Sequence, residues 1–328
     1  MLAMTGQQRR VATNGVELDV IDAGEPGNPV VVLVHGFPES SHSWRHQIQP
    51  LVDAGYRVLV PDQRGYAHST APTDVDAYRV DHLAADLLGL LDDIGADDAV
   101  FVGHDWGSMV VWDLSRLHPE RVRGVINVSV PYTPWPAPPT DLFKMVSGDR
   151  FFYILYFQQV GPPETELEAN VTDTMRKTLW GASAAMFGPA PDPADIPPME
   201  GTGFLDMMAG REIPDGLPTW LTQDDLDAYV EQFETSGFFG PVSWYRNLDA
   251  DYQLVKDLPA PAMPTAFIGG RQDGVIAYRP EYVEAMDGLL PDYKGTIWID
   301  DAGHWTQQEQ PAAFNAALLE LLGRVESS

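Results

Sequence analysis

Residues 99–108 read AVFVGHDWGS: an apolar run, then glycines at 103 and 107 flanking Asp105. Small residue, spacer, central residue, spacer, small residue is the pattern of a nucleophile elbow, the sharp turn between a strand and a helix. The glycines matter because the central residue is forced into a strained backbone conformation and side chains beside it would clash. Such a turn lifts the Asp105 carboxylate above the sheet at a helix N-terminus, where backbone N–H groups and the helix dipole favour negative charge. An ionised carboxylate held there can attack an alkyl carbon and form an ester. The simpler alternative is a helix-capping aspartate, which the same residues would also make. The rest of the chain decides between them.

An ester on a carboxylate must be released by activated water. That needs a general base, normally histidine, oriented by a second carboxylate. In folds with this elbow the chain order is nucleophile, acid, histidine. His304, in DDAGHWTQ, follows the strand-like run Gly295–Ile299, and Asp273, in GGRQDGV, follows the run Thr265–Gly269. His42, His46, His68, His82 and His118 lie in loops or helices without that context, and the sharp turn aims His104 away from its neighbour. By chain order Asp249, Asp251 and Asp301 remain alternatives to Asp273. Two backbone donors must stabilise the oxyanion of the water step. One is the N–H of Trp106; the other comes from the loop His35-Gly36-Phe37-Pro38, where Pro38 has no N–H and Phe37 is the natural donor. His35, Pro38 and Trp106 are expected to line the substrate pocket.

These residues need a scaffold. Gly15–Ile21 alternates apolar and polar residues, Pro29–Gly36 reads as a strand buried on both faces, and strand-like runs recur at Tyr56–Val60, Ala99–Val102 and Gly124–Val130. Leucines at helical spacing mark Val80–Ile94, and a second helix runs through Leu117 to the stop at His118-Pro119. Strands separated by helices imply an α/β fold with a mostly parallel central sheet and right-handed crossovers. Ligands bind such sheets at the C-terminal ends of the strands. The rhythm breaks at Pro131–Thr140, PYTPWPAPPT, and a second Pro/Gly-rich stretch spans Gly188–Pro218. Thr222 with Asp225 reads as a near-capping box at a helix start, and a last helix spans Pro311–Leu322. The expected division is a core of residues 1–130 and 251–328 with an inserted, mostly helical cap at 131–250.

Bulk properties narrow the chemistry further. The chain of 328 residues has no cysteine, which removes disulfides, a thiolate nucleophile and any cysteine-based metal site. A formal net charge of −28 repels phosphate backbones and anionic lipid, so neither nucleic acid nor membrane is an expected partner. The N-terminal stretch MLAMTGQQRR lacks the apolar core of a signal peptide, and no run reaches membrane-spanning length. The expectation is a soluble cytoplasmic protein, a monomer or homodimer.

Six segments together, HGFPES, DQRGYAHS, GHDWGS, FYILYFQQVGPPETELEAN, LPTWLTQDDLDAYVEQFETSGFFGPVSWYRN and GHWTQQEQP, resemble the α/β-hydrolase-fold epoxide hydrolases of the soluble type. The resemblance runs from about residue 10 to 325. The core motifs are shared with haloalkane dehalogenases; the two cap segments are more specific. The resemblance implies the α/β-hydrolase fold, hydrolysis of an epoxide to a vicinal diol, and no metal or organic cofactor. It also implies Asp105 as nucleophile, His304 as base and Asp273 as its acid. Tyr153, in FFYILYF, and Tyr245, in WYRN, match the family tyrosines that hold and protonate the epoxide oxygen, whereas Tyr156 does not. One departure is Ala67, where the family's RGxGxS stretch usually has glycine. Two other readings stand beside this one: a dehalogenase that uses Trp106 at the halide, and a catalytically silent binding protein, which would have lost the nucleophile or the histidine. Phe151, Phe152, Met186, Met207, Met208, Phe238 and Phe239 suggest an apolar pocket and an apolar epoxide.

Overall fold

The computed structural model describes residues 6–190, 192–209 and 213–327. Its eight strands are β1 (Gln7–Thr13), β2 (Val16–Ala23), β3 (Val30–Val34), β4 (Arg57–Asp62), β5 (Ala99–His104), β6 (Val122–Val128), β7 (Thr265–Gly270) and β8 (Tyr293–Ile299). They form one sheet in the order β1-β2-β4-β3-β5-β6-β7-β8. β1–β2 and β2–β4 pair antiparallel; every other pair is parallel. The sequence pattern does not predict β1. It is an edge strand whose first four residues are polar and not buried, and only Val11 and Thr13 turn inward.

Alternation along each strand splits the apolar side chains between two faces. Val31, Leu33, Val100, Val102, Ile126 and Ile268 pack under the helices Ile48–Asp53 and Pro311–Glu326. Val32, Val34, Phe101, Val125 and Phe267 pack against the helices Val80–Ile94 and Trp106–Leu117. Burying a Val, Leu, Ile or Phe side chain fully contributes about 1.5–3 kcal/mol. The double-sided packing is why the central strands read as unbroken apolar runs.

Between β6 and β7 the described residues hold helices and one isolated bridge, Arg150 with Pro198. At Gln223–Ser236 the Thr222 hydroxyl accepts from the Asp225 N–H and the Asp225 carboxylate accepts from the Thr222 N–H, so the capping box forms in full. Leu167, Met175, Tyr229, Phe233 and Trp244 from this segment join the same buried cluster as Val32 and Phe101. The segment therefore continues one face of the core over the C-terminal ends of the strands. No described helix is long and apolar enough to cross a membrane.

Candidate active site

β5 ends at His104 and the next helix begins at Trp106. Asp105, between them, has φ 53° and ψ −118°, a conformation few non-glycine residues adopt. Three glycines make room for it. A Cβ on Gly103 would lie 2.4 Å from the Gly107 carbonyl oxygen, one on Gly107 would lie 2.1 Å from that of Val34, and one on Gly36 would lie 2.4 Å from Asp105 Cβ. The Phe37 N–H donates to Asp105 Oδ1 at 2.8 Å. Asp105 Oδ2 faces His304 Nε2 at 3.5 Å. Burial pushes the Asp105 carboxyl up, but the hydrogen bond and charge of His304, with the Phe37 N–H, more than offset it and hold the group below its ordinary value. Trp106 opens the helix, so its N–H has no carbonyl one turn back to bond.

His304 lies in the loop after β8, and its Nδ1 is 3.2 Å from Oδ1 of the fully buried Asp273. Asp273 follows β7 and caps the short helix Gly274–Ala277, accepting from the Val275 N–H at 2.9 Å. Burial works against a charge on His304, yet the Asp273 and Asp105 carboxylates on its two sides raise its pKa well above the ordinary value. Ser129, just past β6 with φ 72°, was not singled out from the sequence. Its hydroxyl donates to Asp273 Oδ2 and lies 2.8 Å from His304 Nδ1. A lone serine after a strand carries no spacing signal that would have found it.

The other carboxylates have separate tasks. Asp249 accepts from the Thr140 N–H and hydroxyl at 3.0 and 2.6 Å, Asp251 accepts from the Val80 N–H at 2.8 Å, and Asp301 is exposed. His104 is fully buried, with Nδ1 2.6 Å from Glu39 Oε2 and Nε2 2.8 Å from the His304 carbonyl oxygen. It braces the backbone of the base from behind.

A cavity of about 290 Å³ opens over this group. Asp105, Asp273, His304, Phe37, Pro38, Tyr153 and Tyr245 all reach it. Two residues expected in its wall do not. His35 is fully buried behind it: Nε2 accepts from the Gln63 N–H at 3.1 Å, which leaves Nδ1–H to donate to the Gly36 carbonyl at 3.0 Å. Burial drives the His35 pKa down to about 4, so the ring is a neutral strut. Trp106 also stands back, with its ring edge-on to Tyr245 at 4.9 Å between centroids. Of the expected apolar lining, only Met186 among the described residues reaches the cavity; Phe187 and Phe204 supply aromatic walls instead. Phe151 and Phe238 are core residues, Met207 and Phe239 pack against that core, Phe152 is half-buried with its ring against Phe143 and Tyr153, and the Met208 side chain lies outside the described residues.

Tyr153 opens the helix Tyr153–Tyr156 and Tyr245 sits on Phe239–Arg246, with ring centroids 5.8 Å apart. Burial first, then the Asp105 charge, raises Tyr153 above the ordinary phenol range; burial does the same for Tyr245, against the hydrogen bond from Trp106. Both stay protonated and available as O–H donors.

A strained carboxylate after β5, a buried acid after β7 and a histidine after β8, on this sheet order, define an α/β hydrolase. Residues 29–160 match the family model described as the alpha/beta hydrolase fold. Epoxide hydrolase A of Mycobacterium tuberculosis is 45% identical, covering 97% of this chain and 98% of its own length. Epoxide hydrolase B of the same organism is 38% identical over 90% and 91%. Among solved structures, Epoxide Hydrolase A from Mycobacterium thermoresistibile superposes with a TM-score of 0.86 at 44% identity, covering 97% of this chain and 98% of that one. An epoxide hydrolase from an endophytic Streptomyces gives 0.89 at 36%, covering 98% and 96%. The chain belongs to the epoxide hydrolases of the α/β-hydrolase fold.

Proposed function

We propose that this chain hydrolyses a small apolar epoxide to a vicinal diol through an ester on Asp105. One observation carries the reading: an ionised carboxylate and two protonated phenols share one largely apolar cavity. An epoxide oxygen leaves as a poor alkoxide and needs acid donors, whereas a halide leaves as a stable anion and needs N–H donors. The Trp106 indole, which a halide would require, is edge-on to the Tyr245 ring and is not among the residues that line the cavity.

Tyr153 and Tyr245 hold the epoxide oxygen and polarise a ring C–O bond. Asp105 Oδ2 attacks the ring carbon from the opposite face, the C–O bond breaks, and a tyrosine proton passes to the opening alkoxide. Esterification removes the Asp105 charge, one of the two that hold a proton on His304, and so lowers the pKa of the imidazole, which gives up its proton to solvent as the tyrosinate regains one. The neutral ring, oriented by Asp273, takes a proton from water, which attacks the ester carbonyl carbon. The N–H groups of Phe37 and Trp106 stabilise the tetrahedral oxyanion, which collapses as the imidazolium protonates the departing diol oxygen; the regenerated Asp105 acid then gives its proton to His304. Residues 1–130 and 251–328 form the catalytic core in this reading, and 131–250 the cap that supplies the acids.

A paired assay tests the reading. A terminal aryl epoxide is expected to give diol, and a bromoalkane of similar size no bromide. Bromide release without diol formation reverses the assignment.

A further inference from the structure

Glu309 stands apart from the groups the mechanism uses. It closes the short helix Thr306–Glu309, just beyond the base. Its Oε2 accepts from the Ala184 N–H at 2.8 Å and its Oε1 from the Trp305 N–H at 3.1 Å. Ala184 belongs to the helical segment after β6, and Trp305 follows His304. The carboxylate thus spans two parts of the chain that meet at the cavity. Further links join the same stretches: His304 N–H donates to the Ala182 carbonyl at 2.9 Å, and the Trp305 indole N–H to that of Leu179 at 2.8 Å. The approach at Gly303 is so close that a Cβ there would lie 2.3 Å from the Ala184 nitrogen. Gly181, Ala182 and Ser183 line the cavity.

Among these links Glu309 is the charged side chain, and its partners are backbone N–H groups rather than a cation. Holding it there is unfavourable: burial lifts its carboxyl to about 7, against the pull of the Ala184, Gly303 and Trp305 N–H groups. The ester-forming step draws on Asp105, Tyr153 and Tyr245, none of which lies in the stapled stretches. The water step depends on where His304 points.

We propose that Glu309 is a positioning residue that staples the His304 loop to the 182–184 wall of the cavity, and that it governs hydrolysis of the Asp105 ester rather than its formation. The inference rests on the roles assigned above to Asp105 and His304.

Single-turnover mixing of excess enzyme with a terminal aryl epoxide, quenched and read by intact-protein mass spectrometry, separates ester formation from ester decay. Glu309→Gln keeps the volume but turns an NH₂ group toward one of the two backbone donors. Displacing a reacting group by about 1 Å costs on the order of 100-fold. Ester decay is therefore expected to slow about tenfold to 100-fold while formation stays close to wild type, so that adduct accumulates. Glu309→Asp keeps the charge but is one methylene too short to reach both donors, and it shows the same selective slowing. Unchanged decay in either folded variant, or equal slowing of both steps, overturns the inference. So does loss of cooperative thermal unfolding in both variants, because Glu309 is then a fold residue. Absence of any adduct, in wild type and in His304→Gln alike, instead defeats the assignment of Asp105 and takes this inference with it.

Discussion

Replacing Gly36 with alanine places a methyl group 2.4 Å from Asp105 Cβ and 2.5 Å from Asp105 Oδ1. Ordinary carbon contacts begin near 3.4 Å, so the clash closes only if the loop or the carboxylate moves by about 1 Å. Moving the carboxylate alone does not relieve the overlap, because a Cβ on Gly36 also meets the His104 carbonyl oxygen at 2.7 Å. Movement therefore parts Asp105 from the Phe37 N–H or from its line of attack. A misplacement of that size is worth on the order of 100-fold, or about 2.7 kcal/mol of barrier. Overpacking should also lower stability by about 1–3 kcal/mol, a loss of a few degrees in melting temperature. The assay is kcat/KM on a terminal aryl epoxide, measured well below the melting temperature of the variant. Gly89→Ala serves as the control: its Cβ would meet Thr13 Oγ1 at 1.6 Å, far from the cavity, so it should destabilise without slowing the folded enzyme. Wild-type turnover in Gly36→Ala, or equal losses of activity in the two variants, refutes the reasoning.

Two other outcomes follow from the same geometry. Tyr153→Phe and Tyr245→Phe each remove one of two donors to the epoxide oxygen; each is expected to slow ester formation by about 10²–10³-fold, the usual worth of an oxyanion donor, and the double variant more, and unchanged diol formation in all three would falsify the roles assigned to the tyrosines. Lowering the pH should make ester accumulate, because decay needs neutral His304 and stops as that group gains a proton, while formation needs ionised Asp105, whose carboxyl sits below its ordinary value, and tyrosine O–H groups that acid leaves protonated; an adduct level that does not change between neutral and acid pH contradicts this.

The site was legible where a backbone constraint leaves a mark on residue type. Gly103 and Gly107 around Asp105 announce a turn that tolerates no Cβ, and the structure shows the contacts that forbid one. Asp273 was one of four acids acceptable by chain order, and only three-dimensional placement separates it from Asp249 and Asp251, which are occupied at helix starts. His35 and Trp106 looked like pocket residues because they belong to the two segments expected to supply the oxyanion donors; in the fold neither side chain lines the cavity. Aromatic composition in the segment after β6 signals burial but not direction, which is why Phe204 rather than Phe151 meets the cavity. Ser129 and Glu309 act through hydrogen bonds across more than 100 residues of chain, a separation at which local pattern is silent.

The single hydrogen bond from Phe37 to Asp105 Oδ1 makes the two carboxylate oxygens unequal before any substrate arrives. Oδ1 is tethered, and in the proposed mechanism Oδ2 is the atom that bonds the substrate. When water attacks the ester carbon, the diol leaves with Oδ2, and an oxygen from solvent takes its place in the side chain. In water enriched in heavy oxygen, the first diol from each enzyme molecule carries an ordinary atom drawn from the protein itself. The label stays behind on Asp105, and the molecule hands it on with the next turnover.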